Sequence, residues 1–150
     1  MANGGTVFKD YGAYHRDRRN LICHEIGIPL IVLGIIALLR LVALPGTAFN
    51  LASLAVVVVM VYYAAAFGRE ARAATYIAIA GLAVLYVIAV FVTWPFAIAA
   101  FVVGWIFQFV GHAYEGKSPA FLTNLVHLLV GPLWVASHLV PTSASSSSAR

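Results

Sequence analysis

The sequence is short of charged residues and holds one cysteine, and both shortages limit what the protein can be. Only 9% of its 150 residues are charged, whereas an average soluble domain carries about 25%. Because Cys23 has no second cysteine to pair with, an internal disulfide and a cysteine-based metal site are excluded. The sequence also lacks a phosphate-binding loop, a nucleophile elbow and a dinucleotide fingerprint. A composition that is 63% hydrophobic indicates a membrane protein instead.

Five hydrophobic runs account for most of the chain. They lie at residues 26–44, 51–67, 74–93, 95–110 and 120–140. A membrane-spanning helix needs about 20 apolar residues, within a working range of about 17–25. The fourth run is short, and polar residues and Gly131-Pro132 interrupt the fifth, so we expect four to five spanning helices. The sequence thus predicts an all-α fold, a polytopic integral membrane helical bundle.

A single transmembrane domain and a short tail describe the expected domain organisation. The domain covers residues 1–140, and the first apolar run is too long for the core of a cleavable signal peptide. The tail, residues 141–150, consists largely of serine and alanine and has little apolar surface to bury. We therefore expect the tail to be disordered.

The basic residues predict the side of the membrane on which the N-terminus lies. If every run crosses, one side receives most of the Lys and Arg residues: Lys9, Arg16, Arg18, Arg19, Arg69, Arg72 and Lys117. This positive-inside pattern predicts a cytoplasmic N-terminus, in a bacterial inner membrane or in the ER if the source is eukaryotic. The net charge of +4 is assigned to topology and to contact with the lipid bilayer, so no nucleic-acid partner is expected.

Histidines near the ends of the apolar runs are the candidate functional residues. Ionisable residues at membrane depth usually mark a functional site, because an unpaired polar group in hydrocarbon costs about 2–7 kcal/mol. His15 and His24 lie at the start of the first span, and His112 lies at the end of the fourth, on the same side. His127 is roughly 12 Å deep in the fifth span, at 1.5 Å per residue. Spacing alone leaves open both a metal site and a set of hydrogen-bonded structural histidines.

Polar residues one helical turn from two of these histidines predict supporting contacts. Asn20 precedes His24 by four residues and Gln108 precedes His112 by four, so each pair shares a helix face. We expect both amides to orient an imidazole through its second ring nitrogen, which metal-bound histidines usually require. We assign the tryptophans to the membrane–water interface and to packing: Trp94, Trp105 and Trp134.

Two separated motifs resemble the Mpo-like family, long described as a domain of unknown function. The first motif is Tyr14-His15, then Asn20, then His24-Glu25-Ile26-Gly27-Ile28-Pro29-Leu30. The second is Trp105-Ile106-Phe107-Gln108-Phe109-Val110-Gly111-His112, then Glu115-Gly116 and Pro119-Ala120. Together with Asn124-Leu125 and Gly131-Pro132-Leu133, the resemblance covers about residues 8–140.

The resemblance implies an enzyme activity and a set of ligands. The family is expected to consist of polytopic membrane enzymes that are Fe(II)-dependent dioxygenases. They use molecular oxygen as co-substrate and shorten long-chain 2-hydroxy fatty acids by one carbon, in α-oxidation. Carried over residue by residue, the resemblance makes His15, His24 and His112 the catalytic metal ligands, with His127 as a fourth ligand.

The resemblance also suggests roles for charged residues near these histidines. A 2-hydroxy acid can chelate iron through its carboxylate and its hydroxyl group. Non-haem iron sites commonly combine two histidines with a carboxylate, and Glu25 or Glu115 would supply that carboxylate. Arg18 or Arg19 would pair with the carboxylate of the substrate, since a planar guanidinium suits this group.

Two other classes of protein stay open at this point. In a small membrane transporter or proton-relay protein, the histidines would pass protons across the bilayer. In a non-enzymatic membrane scaffold, the polar residues would serve helix packing. Neither class needs stoichiometric iron, so metal analysis distinguishes both of them from the enzyme.

Overall fold

Five α-helices make up the part of the chain that the computed structural model describes, residues 17–69, 71–116 and 126–140, with side chains from residue 129 onward in the last segment. They are α1 (Arg18–Leu39), α2 (Leu51–Phe67), α3 (Arg72–Ala89), α4 (Trp94–Glu115) and α5 (Val126–His138). Across these ranges there is no strand, only an isolated bridge between Ala43 and Asn50 in the loop from α1 to α2. The predicted all-α helical membrane bundle is confirmed.

The helices differ in their capacity to cross a membrane. Helices α1 and α4, with 22 residues each, and α3, with 18, are long and apolar enough to do so. Helix α2 is an apolar helix of 17 residues, at the lower end of the usual range of about 17–25. Of the fifth hydrophobic run, the structure describes the part from residue 126 onward, where α5 has 13 residues.

The outside of the bundle is apolar and part of its inside is polar. Phe91, Phe96 and Val61 are 82%, 73% and 62% exposed. In contrast, Asn20 and His24 are almost completely buried, at 0% and 1% exposure. Large contiguous apolar patches are rare on soluble monomers. This inverted distribution is typical of a helical bundle that lipid surrounds.

Two helices extend beyond the hydrophobic runs from which they were predicted. Helix α1 begins at Arg18, whereas the first run begins at residue 26, and α4 continues to Glu115, five residues past its run. Asp17 caps the start of α1 by accepting a hydrogen bond of 2.8 Å from the Arg19 backbone. Gly116 ends α4 in the left-handed conformation, with φ of 67°. The added turns carry polar residues that neighbouring helices bury, so hydrophobicity alone does not detect them.

The closest packing in the bundle is between α1 and α4, whose backbones touch at glycines. A Cβ atom added to Gly104 would lie 2.7 Å from the carbonyl oxygen of Gly27, and one added to Gly34 would lie 2.7 Å from that of Ala97. Only a residue without a side chain permits this approach. Near the polar end, a Cβ on Gly111 would lie 2.5 Å from Oδ1 of Asn20. The contacts run in opposite directions along the two sequences, so the helices are antiparallel.

Helix α5 packs mainly against α3 and also contacts α1, and one hydrogen bond joins it to α2. Val130 and Leu133 are fully buried, and the Tyr63 hydroxyl of α2 donates a hydrogen bond of 2.6 Å to the Leu129 carbonyl oxygen. Pro132 lies inside α5 rather than at its end. Because proline has no N–H group, one backbone hydrogen bond of this helix is missing.

We expect Gly104→Ala to lower the free energy of unfolding by about 1–3 kcal/mol, the usual effect of overpacking, because the new methyl group collides with Gly27 and Ile31 of α1. Gly81→Ala is the matched control, since a Cβ at Gly81 meets no atom within 4 Å; it should be neutral or stabilising by up to about 1 kcal/mol. Thermal unfolding of both variants in detergent measures the difference. Equal stability of the two variants would show that α1 and α4 are not in backbone contact.

Candidate active site

Two buried histidines from α1 and α4 meet at one end of the bundle. His24 is 1% exposed and His112 is 7% exposed. Their ring centroids are 4.9 Å apart and the ring planes are nearly perpendicular, at 82°. The sequence predicts that these residues converge on one membrane face, and the structure places the two rings side by side. The glycine contacts described above bring the two helices close enough for this.

The hydrogen bonding of His24 determines which ring nitrogen carries the proton. Its Nδ1 atom lies 3.0 Å from the backbone carbonyl oxygen of Asn20, one helical turn earlier. A carbonyl only accepts hydrogen bonds, so Nδ1 donates and the lone pair of the neutral ring is on Nε2. The backbone of Asn20 thus orients the ring, whereas the prediction assigned this role to its side chain. A second-nitrogen hydrogen bond of this kind is usual for a metal-bound histidine.

The separation of the two rings fits a shared metal ion. Imidazole nitrogens bind divalent metals at about 2.0–2.1 Å, which places the centroids of two rings on one ion about 4.5–5 Å apart. The observed separation of 4.9 Å lies within this range. The predicted ligand His15 and the side chain of His127 lie outside the described residues. Among the residues that are described, no group of three or more His, Cys, Asp or Glu side chains is placed to hold an ion.

The carboxylate of Glu115 links the last turn of α4 to the first turn of α1. Its Oε2 atom accepts hydrogen bonds of 3.0 Å from the Asp17 backbone N–H and from Nδ2 of Asn20. A negative charge at a helix N-terminus is also stabilised by the helix dipole. In this arrangement the carboxylate holds the two helices together beside the histidine pair. Glu25, the other predicted acidic residue, is half-buried and does not line the apolar cavity of about 170 Å³ beside the histidine pair, which we call the main cavity.

Arg19, predicted to pair with the carboxylate of a substrate, is engaged elsewhere. Its guanidinium forms an ion pair of 2.9 Å with Asp17 and lies 4.4 Å from the centre of the Tyr114 ring. Its hydrogen bonds to Asp17, followed by the charge attraction between the two groups, hold the pKa of that carboxyl below its usual value. Substrate binding by Arg19 stays a prediction, and it would require this exposed pair to rearrange.

A long apolar cavity extends from the histidine pair into the bundle. Its volume is about 170 Å³, and it reaches from His24 to Leu39 along α1, which is about 22 Å at 1.5 Å per residue. The polar residues among those lining it, His24, Gln108 and His112, are all at one end, apart from the Tyr63 hydroxyl bound to α5. Most of the other lining residues are aliphatic residues of α1 and α2: Ile28, Ile31, Val32, Ile35, Ile36, Leu39, Ala52, Ala55, Val56 and Val59. Leu82 of α3, Trp105 of α4 and Leu129, Gly131 and Pro132 of α5 complete the lining.

Gln108 offers a buried donor at the polar end of this cavity. Its side chain is 6% exposed, and within the described part of the chain its Nε2 atom has no hydrogen-bond partner. A buried polar group without a partner costs about 1–3 kcal/mol. An oxygen atom of a ligand in the cavity would remove this cost. The position of Gln108 therefore suits contact with a ligand, beyond the orienting role predicted from its spacing.

Sequence reasoning missed two aromatic residues of the site. Trp134 of α5 is 5% exposed, and its ring centroid lies 6.3 Å from that of His24. Trp105 lines the main cavity. The hydrophobic pattern gives no signal for either residue, because tryptophan occurs both at membrane interfaces and in cores.

Comparisons with known proteins agree on one family. The family model described as 2-hydroxy-palmitic acid dioxygenase Mpo1-like matches residues 1–142. The 2-hydroxy-palmitic acid dioxygenase MPO1 of Saccharomyces cerevisiae is 31% identical over 121 residues, which cover 80% of this chain and 69% of that protein. No solved structure matches the chain.

We expect Glu115→Ala to destabilise the bundle by about 1–3 kcal/mol, because the Asp17 N–H and the Asn20 amide lose their acceptor. Glu25→Ala is the matched control, since it removes a carboxylate from the same end of the bundle without touching the link between α1 and α4. Chemical unfolding in detergent, followed by circular dichroism, compares the two. If both variants unfold like the unchanged protein, the Glu115 bonds do not join the helices.

Proposed function

Because the chain belongs to the Mpo1-like family, we propose that it is an Fe(II)-dependent membrane dioxygenase that converts long-chain 2-hydroxy fatty acids to fatty acids one carbon shorter. The observation that carries this proposal is the His24–His112 pair at the polar end of an otherwise apolar cavity. Such a site suits a substrate with one chelating head and one long hydrocarbon chain.

The proposed metal site uses residues from both ends of the sequence. His24 and His112 would bind ferrous iron, and His15 and His127 would complete the ligand set. Iron, when bound, would supply the redox chemistry that molecular oxygen needs to react with an organic acid. The Asn20 carbonyl keeps the proton of His24 on Nδ1, which leaves Nε2 as the ligating nitrogen.

The chain's other residues bind and orient the substrate in this proposal. The Gln108 amide would donate a hydrogen bond to an oxygen of the substrate head, in place of the partner that it lacks among the described residues. The apolar walls exclude water from the head group.

The proposed reaction balances. The carboxyl carbon leaves as carbon dioxide, the hydroxyl-bearing carbon becomes the new carboxyl, and one water forms per oxygen molecule consumed.

The cavity suits a long acyl chain. The residues of α1 that line it span about 22 Å. One lipid chain occupies one leaflet, which is half of the hydrocarbon layer or about 15 Å thick, so the cavity is longer than one leaflet is thick. Each methylene group buried from water contributes about 0.8 kcal/mol to binding. Long chains should therefore bind more tightly than short ones, until the chain fills the cavity.

We further propose that the protein is multi-pass, with its polar end at the cytoplasmic face. Arg18, Arg19, Arg69 and Arg72 lie at or next to helix ends, and if each apolar helix crosses the bilayer, all four would be on the side of the histidine pair, which the positive-inside rule makes cytoplasmic. The carboxylate of a fatty acid in the inner leaflet would then lie at the depth of the site. The apolar lining between His24 and Leu39 disfavours the alternative of a proton relay, which needs polar groups along the whole path.

Purified protein loaded with ferrous iron should convert 2-hydroxy-palmitic acid to pentadecanoic acid and consume oxygen in equal amounts. Palmitic acid and 3-hydroxy-palmitic acid should react at least about tenfold more slowly, a difference of about 1.4 kcal/mol, because neither has adjacent hydroxyl and carboxylate groups. An oxygen electrode and gas chromatography of the fatty acids measure both quantities. Absence of oxygen uptake with every 2-hydroxy acid tested, across a range of chain lengths, would contradict the proposed reaction.

A further inference from the structure

A second apolar cavity lies beside the one that contains the histidine pair. Its volume is about 140 Å³, and α1, α3 and α5 form its walls. The lining residues are Ile28, Pro29, Val32, Ile77, Ala78, Gly81, Leu82, Leu85, Pro132, Val135, Ala136 and Leu139. We call it the lateral groove. Every side chain that lines it is apolar, so it offers contacts to hydrocarbon and to little else.

The lateral groove and the main cavity share a wall. Ile28, Val32, Leu82 and Pro132 line both spaces, so a single layer of side chains separates them. Part of this wall belongs to α5 at Pro132, where the helix lacks one backbone hydrogen bond. A helix is more easily bent at such a position than elsewhere along its length.

The mouth of the lateral groove faces the outside of the bundle at the depth of the hydrocarbon. Gly81, in the middle of α3, is exposed, and a Cβ atom there would meet nothing within 4 Å. Leu139, on the opposite edge of the groove, is 64% exposed. Helix α3 is one of the helices long and apolar enough to cross a membrane. The mouth therefore opens where acyl chains of the bilayer would lie, away from the polar end.

We propose that the lateral groove is the route by which the acyl chain of a fatty acid passes between the bilayer and the main cavity. The proposal rests on the proposed function for the identity of its occupant. A fatty acid that moves sideways keeps its carboxylate at the polar end of the bundle, and only its hydrocarbon chain passes between α3 and α5. No charge then enters the apolar wall, where an unpaired ionised group would be very costly.

Substitutions at Gly81 test the route, because Gly81 lines the groove, a Cβ atom there meets no atom within 4 Å, and a larger side chain would obstruct the mouth. The variants are Gly81→Ala, Gly81→Leu and Gly81→Phe, and the matched control is Ala83→Phe on the exposed face of the same helix. The probe is a bromine-substituted 2-hydroxy fatty acid in donor vesicles, because bromine quenches the fluorescence of Trp105 and Trp134 near the main cavity. Stopped-flow mixing with protein in acceptor vesicles gives association and dissociation rates.

We expect Gly81→Phe to slow association and dissociation by about tenfold or more, with Gly81→Leu intermediate and Gly81→Ala close to the unchanged protein. The dissociation constant should stay within about twofold, since an obstructed route raises the barrier, by about 1.4 kcal/mol for tenfold, and leaves the end states unchanged. Unchanged rates in Gly81→Phe, or equal slowing in Ala83→Phe, would overturn the route. A weaker dissociation constant with normal association would also overturn it, because the groove would then belong to the binding site.

The same experiment separates failure of the route from failure of the proposed reaction. If the unchanged protein binds the probe with rates that depend on residue 81 but consumes no oxygen with 2-hydroxy acids, the reaction is wrong and the route stands. If Gly81→Phe binds and reacts at normal rates, the route is wrong and the reaction stands. If the unchanged protein does not bind the probe, both are wrong.

Discussion

Helices α1 and α4 approach until their backbones touch, and the position of every polar group at the site depends on this contact. Glycines spaced seven residues apart on each helix, Gly27 and Gly34 on one and Gly104 and Gly111 on the other, make the approach possible. In a bilayer, water does not drive helices together, so close packing and hydrogen bonds must supply the association energy. With larger residues at these positions, His24 and His112 would be too far apart to bind one ion.

A polar end and an apolar interior follow from that contact. Glu115 reaches the start of α1, Asn20 orients His24, and the two imidazoles lie side by side. Beyond them, α1 separates from α2 enough to leave a cavity of about 170 Å³. In the proposed function, the chemistry would take place at this polar end while the hydrocarbon chain of the substrate stays in an apolar environment.

The sequence predicted that His24 and His112 lie close together, but not how they are held. An even number of crossings between His24 and His112 would bring them to one face, and helical periodicity places Asn20 and Gln108 one turn away from them. The bond to His24, however, comes from the Asn20 backbone and not from its amide. The Glu115 bonds could not be predicted, because they depend on the register between two helices distant in sequence. The cavity could not be predicted either, since an aliphatic side chain such as Val56 looks the same whether it faces lipid, a neighbour or an empty space.

The most direct test of this account is the metal content of the purified protein. We expect one iron per chain in the unchanged protein. Each single variant, His24→Ala or His112→Ala, should lose affinity for iron at least about tenfold, or about 1.4 kcal/mol, because the two rings share one ion. The double variant should bind no iron. The control is His138→Ala, which removes an exposed imidazole that contacts the Trp134 carbonyl and should retain the iron. Equilibrium dialysis and elemental analysis measure these values. Full iron occupancy in the double variant would contradict the account.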